Sequence, residues 1–212
     1  MEILGFATGP YQTNCYAVIS GDQVSVIDPG MYAQPQIEAF LAERAAALAQ
    51  IVLTHGHIDH IRDAAALANK WGVPVCIHES DAEFLDKGKG MSKESLLLFA
   101  AENMPLPKHM LGLEHKQHIE LGGEQFEVLH GPGHSPGSVL LVGSEFCFSG
   151  DILFKGSIGR TDLIHSDPQS MQETLKNQVL SLDNSLQILP GHGPMTTMRA
   201  ERMHNPYLRS LV

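Results

Sequence analysis

Residues 54–60 read THGHIDH, and they directly follow the apolar run Gln50–Leu53, whose sequence is QIVL. Three histidines and an aspartate therefore fall in one short turn behind a predicted strand. In a chain with 12 His among 212 residues, two neighbouring histidines on a polar surface loop would be unremarkable. The ordered pattern H-x-H-x-D-H is much harder to explain in that way. Because imidazole and carboxylate both bind borderline divalent metals, the stretch predicts a metal site.

The spacing within this stretch predicts ligands for two centres. His55 and His57 alternate around Gly56, whose freer backbone lets both side chains reach one point. Asp59 and His60 begin a predicted helix, so they point elsewhere.

The composition is that of an ordinary globular protein, and the length predicts one domain over residues 1–212. A net charge of −10 and a pI near 5.6 argue against a phosphate-binding surface, so no nucleic-acid partner is expected. No signal peptide or membrane-length apolar run is found. Cys15, Cys76 and Cys147 have apolar or aromatic neighbours, which predicts buried free thiols in a reducing cytoplasm. The sequence does not reveal the oligomeric state.

Hydrophobic periodicity predicts short strands alternating with amphipathic helices, in two halves of strands followed by helix. The predicted strands cover residues 15–20, 23–28, 50–54, 73–78, 116–121, 124–130, 138–143, 145–150 and 186–190. The predicted helices cover residues 33–48, 60–72, 92–103, 167–182 and a tail at 196–208, interrupted near Pro206. This order predicts a layered α/β fold.

Three further candidate ligands stand in glycine-rich loops behind predicted strands. They are His134 in HGPGHSPGS, Asp151 in CFSGD and His192 in LQILPGHGP. A single histidine in such a loop is more simply a turn or capping residue. Three such loops together with residues 54–60 favour one shared site, because α/β folds place their sites at the carboxyl ends of strands.

The motifs THGHIDH, GPGHSPGS, FSGD and PGHGP, in this order, resemble the metal motifs of the metallo-β-lactamase superfamily. The resemblance runs from about residue 11 to about residue 194. It implies an αββα sandwich, with two mixed β-sheets flanked by helices and the site at one edge. It also implies that Asp28, in VIDPG, does not bind a metal itself but orients one of the metal ligands. The implied ligands are His55, His57 and His134 for the first metal, Asp59, His60 and His192 for the second, and Asp151 as the bridge.

Two further stretches are similar to glyoxalase II, the hydroxyacylglutathione hydrolases. They are DILFKGSIGRTD after Asp151 and the ending GHGPMTTMRAERMHNPYL. The resemblance implies hydrolysis of S-lactoylglutathione to lactate and glutathione. The helical tail at about 196–212 resembles that of small bacterial members, because larger members have a longer C-terminal part that holds glutathione. The implied cofactors are two divalent ions, zinc first, with iron or manganese also suited to these ligands.

Such a ligand set predicts a definite chemistry. Two ions at about 3.5 Å can share one water and lower its pKa to near 7, which yields a metal-bridging hydroxide as nucleophile. Asp59 would orient this hydroxide or accept its proton, and Asp151 would hold the ions together. A thiolate leaves readily, since a free thiol has a pKa of about 8.5, so no separate general acid is needed.

The residues that bind substrate are less well defined by the sequence. Lys155 and Arg160 are the basic residues nearest to Asp151 in the chain, and glutathione carries carboxylates for them to bind. Alternatively, Arg160 pairs with Asp162 and shapes the loop.

Three other functions stay open at this point. They are a persulfide dioxygenase with one iron, which acts on glutathione persulfide; a lactonase or other ester hydrolase; and a non-catalytic metal-binding scaffold.

Overall fold

The N-terminal half forms a six-stranded mixed sheet whose spatial order follows the chain. In the computed structural model, which describes residues 1–211, β1 to β3 are antiparallel and β3 to β6 are parallel. The strands are β1 (Glu2–Thr8), β2 (Thr13–Ser20), β3 (Gln23–Ile27), β4 (Ala47–Val52), β5 (Val75–His78) and β6 (Met110–Leu113). Helices cross between or follow the parallel strands: α1 (Ala33–Arg44), α2 (Ile58–Ile61), α3 (Ala64–Trp71) and α4 (Lys93–Leu98).

The C-terminal half forms a second six-stranded mixed sheet, accompanied by a two-stranded ribbon. Its elements are β7 (His118–Leu121), β8 (Glu124–His130), β9 (Val139–Val142), β10 (Phe146–Gly150), the ribbon β11 (Leu153–Phe154) and β12 (Ser157–Ile158), α5 (Pro168–Asn177), β13 (Gln187–Pro190), β14 (Thr196–Thr197), α6 (Met198–His204) and α7 (Pro206–Arg209). The sheet order is β14-β13-β10-β9-β8-β7. Among the described strands of this sheet, only β10 and β13 pair in parallel.

Alternating side chains on the strands build three apolar layers. Val18 and Phe148 point into the layer between the two sheets. Their neighbours Ala17 and Cys147 point the other way, toward the helices on each outer face. The predicted αββα sandwich of two mixed sheets flanked by helices is therefore confirmed. The assignment of residues 1–212 to one domain stays a prediction.

Three predicted helices end earlier than their patterns indicated. The helix predicted over residues 167–182 ends at Asn177 and is followed by a 3-10 turn over Val179–Ser181. The other two are interrupted by a left-handed residue. The helix predicted over residues 33–48 ends at Arg44, since Ala45 adopts a left-handed φ of 49° and residues 47–52 pair with β3. The helix predicted over 92–103 ends at Leu98, because Ala100 also adopts a left-handed φ, of 48°. In both cases Ala-rich sequence has high helix propensity, but a local break in the backbone overrides it.

The strand prediction omitted both edge strands of the first sheet, β1 and β6, and the tail is only partly helical. In the tail, Thr196–Thr197 pairs with β13 before the helix begins. The predicted interruption at Pro206 is confirmed, because it starts a separate helix.

None of the helices in the described part of the chain combines the length and hydropathy that a membrane crossing requires. The prediction of buried free thiols is confirmed for Cys15, Cys76 and Cys147.

One buried carboxylate joins the two halves of the sandwich. Asp81, fully buried, lies in the 3-10 helix that follows β5. It accepts hydrogen bonds from the backbone N–H of Gly56 at 2.7 Å and of Gly137 at 2.6 Å, and from the Ser135 hydroxyl at 2.6 Å. Gly56 belongs to the N-terminal histidine loop, whereas Ser135 and Gly137 belong to the loop after β8. Asp81 therefore fixes these two loops relative to each other.

Asp81→Ala should destabilise the metal-free protein strongly. It would leave the buried N–H groups of Gly56 and Gly137 without a partner, at about 1–3 kcal/mol each, and remove one hydrogen bond from the Ser135 hydroxyl. Since 1 kcal/mol corresponds to about 2–4 °C in a chain of this size, we expect Tm to fall by roughly 10 °C. Thermal unfolding followed by circular dichroism measures this. The control is Asp86→Ala, an exposed aspartate of the same segment. An equal Tm for the two variants would contradict the bridging role.

Candidate metal centre

The loops that carry the candidate ligands converge at one edge of the sandwich. Residues 53–57 connect β4 to α2, and residues 131–138 connect β8 to β9. Asp151 directly follows β10, and His192 follows β13. The structure thus brings all seven predicted ligands together, six of them buried and His192 partly exposed. Gly191 permits this close approach, because a Cβ there would lie 2.2 Å from Asp151 Oδ1.

A chain of hydrogen bonds sets which nitrogen of His55 faces the centre. The Thr54 hydroxyl has one hydrogen and donates it to the carboxylate oxygen Oδ2 of Asp28. The contact of 3.1 Å between Thr54 Oγ1 and His55 Nδ1 must then be donated by the imidazole. His55 Nε2 consequently carries the free lone pair, and this buried atom has no hydrogen-bond partner.

The first candidate group consists of His55, His57 and His134, whose ligand atoms all lie within 4.8 Å of one another. His57 Nδ1 and His134 Nε2 are 2.8 Å apart. The other nitrogen of His134, Nδ1, lies 2.9 Å from the carbonyl oxygen of Arg160 and donates to it. In the neutral tautomer that this hydrogen bond favours, the lone pair is on Nε2 of His134, which is directed at the group.

The second candidate group consists of Asp59, His60 and His192. His192 Nε2 is 3.1 Å from Asp59 Oδ2 and 3.2 Å from His60 Nε2. The outer nitrogens are again occupied: His60 Nδ1 contacts Asp28 Oδ2 at 2.9 Å, and His192 Nδ1 contacts the Tyr11 carbonyl oxygen at 3.1 Å. Carboxylates and carbonyls behind the imidazoles fix ring orientation and tautomer, as is usual for metal ligands.

Asp151 lies between the two groups. Its Oδ2 is 3.3 Å from His134 Nε2 in the first group and 3.6 Å from His192 Nε2 in the second. Its Oδ1 is 3.4 Å from His60 Nε2 and, like His55 Nε2, is buried without a hydrogen-bond partner. The position is the one that a bridging carboxylate requires.

The donor set fits two divalent ions. Ligand atoms about 2.0–2.1 Å from a tetrahedral ion lie about 3.3 Å from one another, and the spacings above fall around that value. Two buried polar atoms without partners are costly unless an ion binds them. A third grouping, of Asp28, His55 and His60, overlaps the others, but Asp28 already accepts from Thr54 N–H, the Thr54 hydroxyl and His60 Nδ1.

The electrostatics of the two groups differ. Burial lowers the pKa of His57 to about 3, so it is the neutral imidazole that a metal ligand must be. Burial also disfavours protonation of His60, but the carboxylates of Asp59 and Asp151 outweigh burial and raise its pKa to about 10. The second group therefore favours a positive charge, and a bound cation would replace the proton on His60.

Beside the ligands lies a cleft of about 480 Å³. Tyr11, Phe154 and Arg160 line it. The Arg160 guanidinium pairs with Asp162, with Nε–Oδ1 at 2.8 Å and Nη2–Oδ2 at 3.0 Å. The structure therefore shows the ion pair that the sequence offered as the alternative to substrate binding. Lys155 is exposed and is absent from the described cleft lining, so the geometry does not support its assignment to substrate binding.

Three supporting residues escaped the sequence analysis. The Thr54 hydroxyl connects the Asp28 carboxylate to His55 by hydrogen bonds. Asp81 joins the two loops, and the Thr13 hydroxyl donates to Asp59 Oδ2 at 3.0 Å. Thr54 stands inside the quoted motif, so its buried position behind a strand was an available signal. Thr13 and Asp81 meet their partners only through the tertiary fold, and no local pattern marks them.

The fold and the donor set define a metallo-hydrolase-type enzyme. The model of one family, described as the metallo-beta-lactamase superfamily, matches residues 8–192. The chain belongs to this superfamily, whose members bind divalent metals.

The relatives and solved structures match nearly the whole chain. The probable metallo-hydrolase YqgX of Bacillus subtilis is 35% identical, and the hydroxyacylglutathione hydrolase GloC of Haemophilus influenzae is 33% identical; each alignment covers 94% of both chains. The crystal structure of BLEG-1, a B3 metallo-beta-lactamase, is 32% identical with a TM-score of 0.85 and covers 98% of this chain and 99% of the other. TTHA1623, crystallised in a di-iron-bound form, is 35% identical with a TM-score of 0.80 and covers 97% and 100%.

We predict two metal equivalents per chain after saturation, and at most one in Asp151→Ala. Without the bridging carboxylate, two cations would face each other with no shared anion. Elemental analysis measures the content, and Asp22→Ala, a change at an exposed aspartate, serves as control. Two tightly held equivalents in the Asp151 variant would rule out the bridging role.

Thr54→Val should weaken metal binding by about 10–100-fold, the usual effect of losing a partner behind a ligand. Valine keeps the shape of threonine but removes the hydroxyl between Asp28 and His55. Thr54→Ser retains the hydroxyl and should stay near the parent affinity. Competition with a chromogenic chelator provides the measurement, and equal affinities for the two variants would show that the relay is unimportant.

Proposed function

We propose that the protein is a metal-dependent hydrolase that cleaves thioesters, and that it converts S-lactoylglutathione to lactate and glutathione. The observation that carries this proposal is the complete set of seven candidate ligands, arranged in two groups with Asp151 between them. Zinc is the proposed metal, since imidazole and carboxylate suit it. Iron is the alternative, because TTHA1623 was crystallised in a di-iron-bound form.

The cleft supports a reaction without a side-chain nucleophile. Cys15, Cys76 and Cys147 are buried, and none is part of the described cleft lining. Ser92 and Ser95 do line the cleft, but their hydroxyls contact each other at 3.1 Å, and no histidine is hydrogen-bonded to either one. When bound, divalent ions supply an activated water and polarise the scissile carbonyl.

Asp59 is the candidate residue that orients the attacking water or accepts its proton. It lines the cleft, and its Oδ2 is held by the Thr13 hydroxyl and by His192 Nε2. Interaction with His60 and His192 outweighs burial and keeps the pKa of Asp59 below its ordinary value, so the carboxylate is ionised and able to orient a water. A thiolate needs little protonation to leave, which suits a cleft whose described lining contains no lysine.

The size of the chain is compatible with this activity. The relative named hydroxyacylglutathione hydrolase is matched over 94% of its own length. A chain of similar length therefore carries that name without the longer helical part of larger glyoxalase II proteins. This supports the assignment of glutathione as the leaving thiol here.

The metal-loaded protein should release free thiol and lactate from S-lactoylglutathione without consuming oxygen. Chelation should abolish thiol release, and zinc or iron should restore it. A thiol-reactive dye and an oxygen electrode follow the two quantities in one sample. Asp151→Ala should lose most of the activity, whereas Asp22→Ala should retain it.

Two results would overturn the thioester assignment. Oxygen consumption with glutathione persulfide, and no thioester cleavage, would make the protein a dioxygenase with one catalytic iron. Opening of a β-lactam or lactone ring, again without thioester cleavage, would place it among ring hydrolases, of which BLEG-1 is a β-lactamase by name.

A further inference from the structure

Part of the cleft beside the candidate ligands is built by two loops that contribute no candidate ligand. Residues 88–92 supply Met91, and residues 160–165 supply Leu163 and Ile164. These apolar side chains, together with Ile58, Tyr11 and Phe154, line the same cavity as the ligand residues.

The two loops pack closely against each other, so their apolar side chains form a defined wall of the cleft. A Cβ on Gly90 would lie 2.7 Å from His165 Nε2, which shows how closely the loops approach each other. A Cβ on Gly88 would lie 3.0 Å from Ile58 Cδ1, and both glycines have positive φ. Met91 also packs against the core on the helix side of the first sheet. Ile164 remains 55% exposed, which leaves apolar surface available to a ligand.

The side chains of the cleft offer few unpaired charges to a substrate. Arg160 is the only cation in its described lining apart from the histidines, and both Asp162 oxygens neutralise it. The other two aspartates of the lining, Asp59 and Asp151, belong to the candidate metal ligands. The apolar wall therefore offers more binding energy than charge pairing does, since burial of each methylene contributes about 0.8 kcal/mol.

We infer that the cleft selects thioesters whose acyl group is an extended apolar chain, which lies along Met91, Leu163 and Ile164. This inference rests on the proposed thioester hydrolysis and names its preferred substrate class. The lactoyl group has three carbons and a hydroxyl, so it covers only part of this wall. Longer saturated acyl groups would cover more of it.

The first test is a series of acetyl, butyryl and hexanoyl thioesters of N-acetylcysteamine, a thiol without charge. Each methylene should raise kcat/KM by about two- to fourfold, because full burial of one methylene corresponds to about fourfold. The ratio of hexanoyl to acetyl should then be at least about tenfold. A flat or falling series would overturn the inference.

The second test locates the chain-length preference in the wall. Ile164→Ser should reduce the hexanoyl-to-acetyl ratio several-fold. Leu106→Ser is the matched control, since Leu106 is also a loop residue, is 59% exposed and does not line the cleft. Equal ratios in the two variants would place the preference outside this wall.

Binding of a substrate analogue separates this inference from the proposed reaction. Calorimetry with S-hexyl and S-ethyl N-acetylcysteamine thioethers, which cannot be hydrolysed, should give a lower Kd for the hexyl compound, and Ile164→Ser should remove the difference. If that holds but no thioester is cleaved, the proposed reaction is wrong and the apolar subsite stands. If thioesters are cleaved but the two thioethers bind equally, the reaction stands and the subsite is wrong.

Discussion

The desolvation of polar side chains at one edge of the sandwich is the constraint on which this structure depends. Imidazoles and carboxylates are buried there, and burial without partners would be costly. Two carboxylates outside the candidate ligand set offset much of this desolvation, because they accept hydrogen bonds from the buried groups. Asp28 accepts from the backbone and hydroxyl of Thr54 and from His60, and Asp81 accepts from both histidine loops. The sandwich thus holds its ligand loops in place before any cation binds.

Much of the fold and the full set of candidate ligands could be predicted from the sequence, because both depend on local patterns. Histidines and aspartates behind apolar runs, with glycine beside them, identify strand ends that meet in space. The strands β1 and β6 were missed because most of their side chains are exposed or half-buried, which leaves a weak apolar pattern. Thr13 and Asp81 were missed because their partners lie far away in the sequence. The partner of Arg160 was left open, and only the structure shows its pairing with Asp162.

Different segments carry the candidate ligands and much of the apolar wall. The ligands stand on short loops at strand ends, where the sheets restrict any change. Met91 and Ile164 lie on the connections 88–92 and 160–165, which contribute no candidate ligand. This separation explains why the sequence identifies the candidate ligands but not the apolar wall. The ligand motifs match a whole superfamily. The wall residues, by contrast, follow no pattern that a single sequence discloses.

The order of the strands has a consequence for synthesis of the protein on the ribosome. The first candidate group is incomplete until His134 has been made, and the second until His192 has been made. A chain emerging from the ribosome presents His55, His57, Asp59 and His60 long before their partners exist. The first candidate group can therefore be completed before β9 is made, whereas the second requires the later strand β13, which precedes His192.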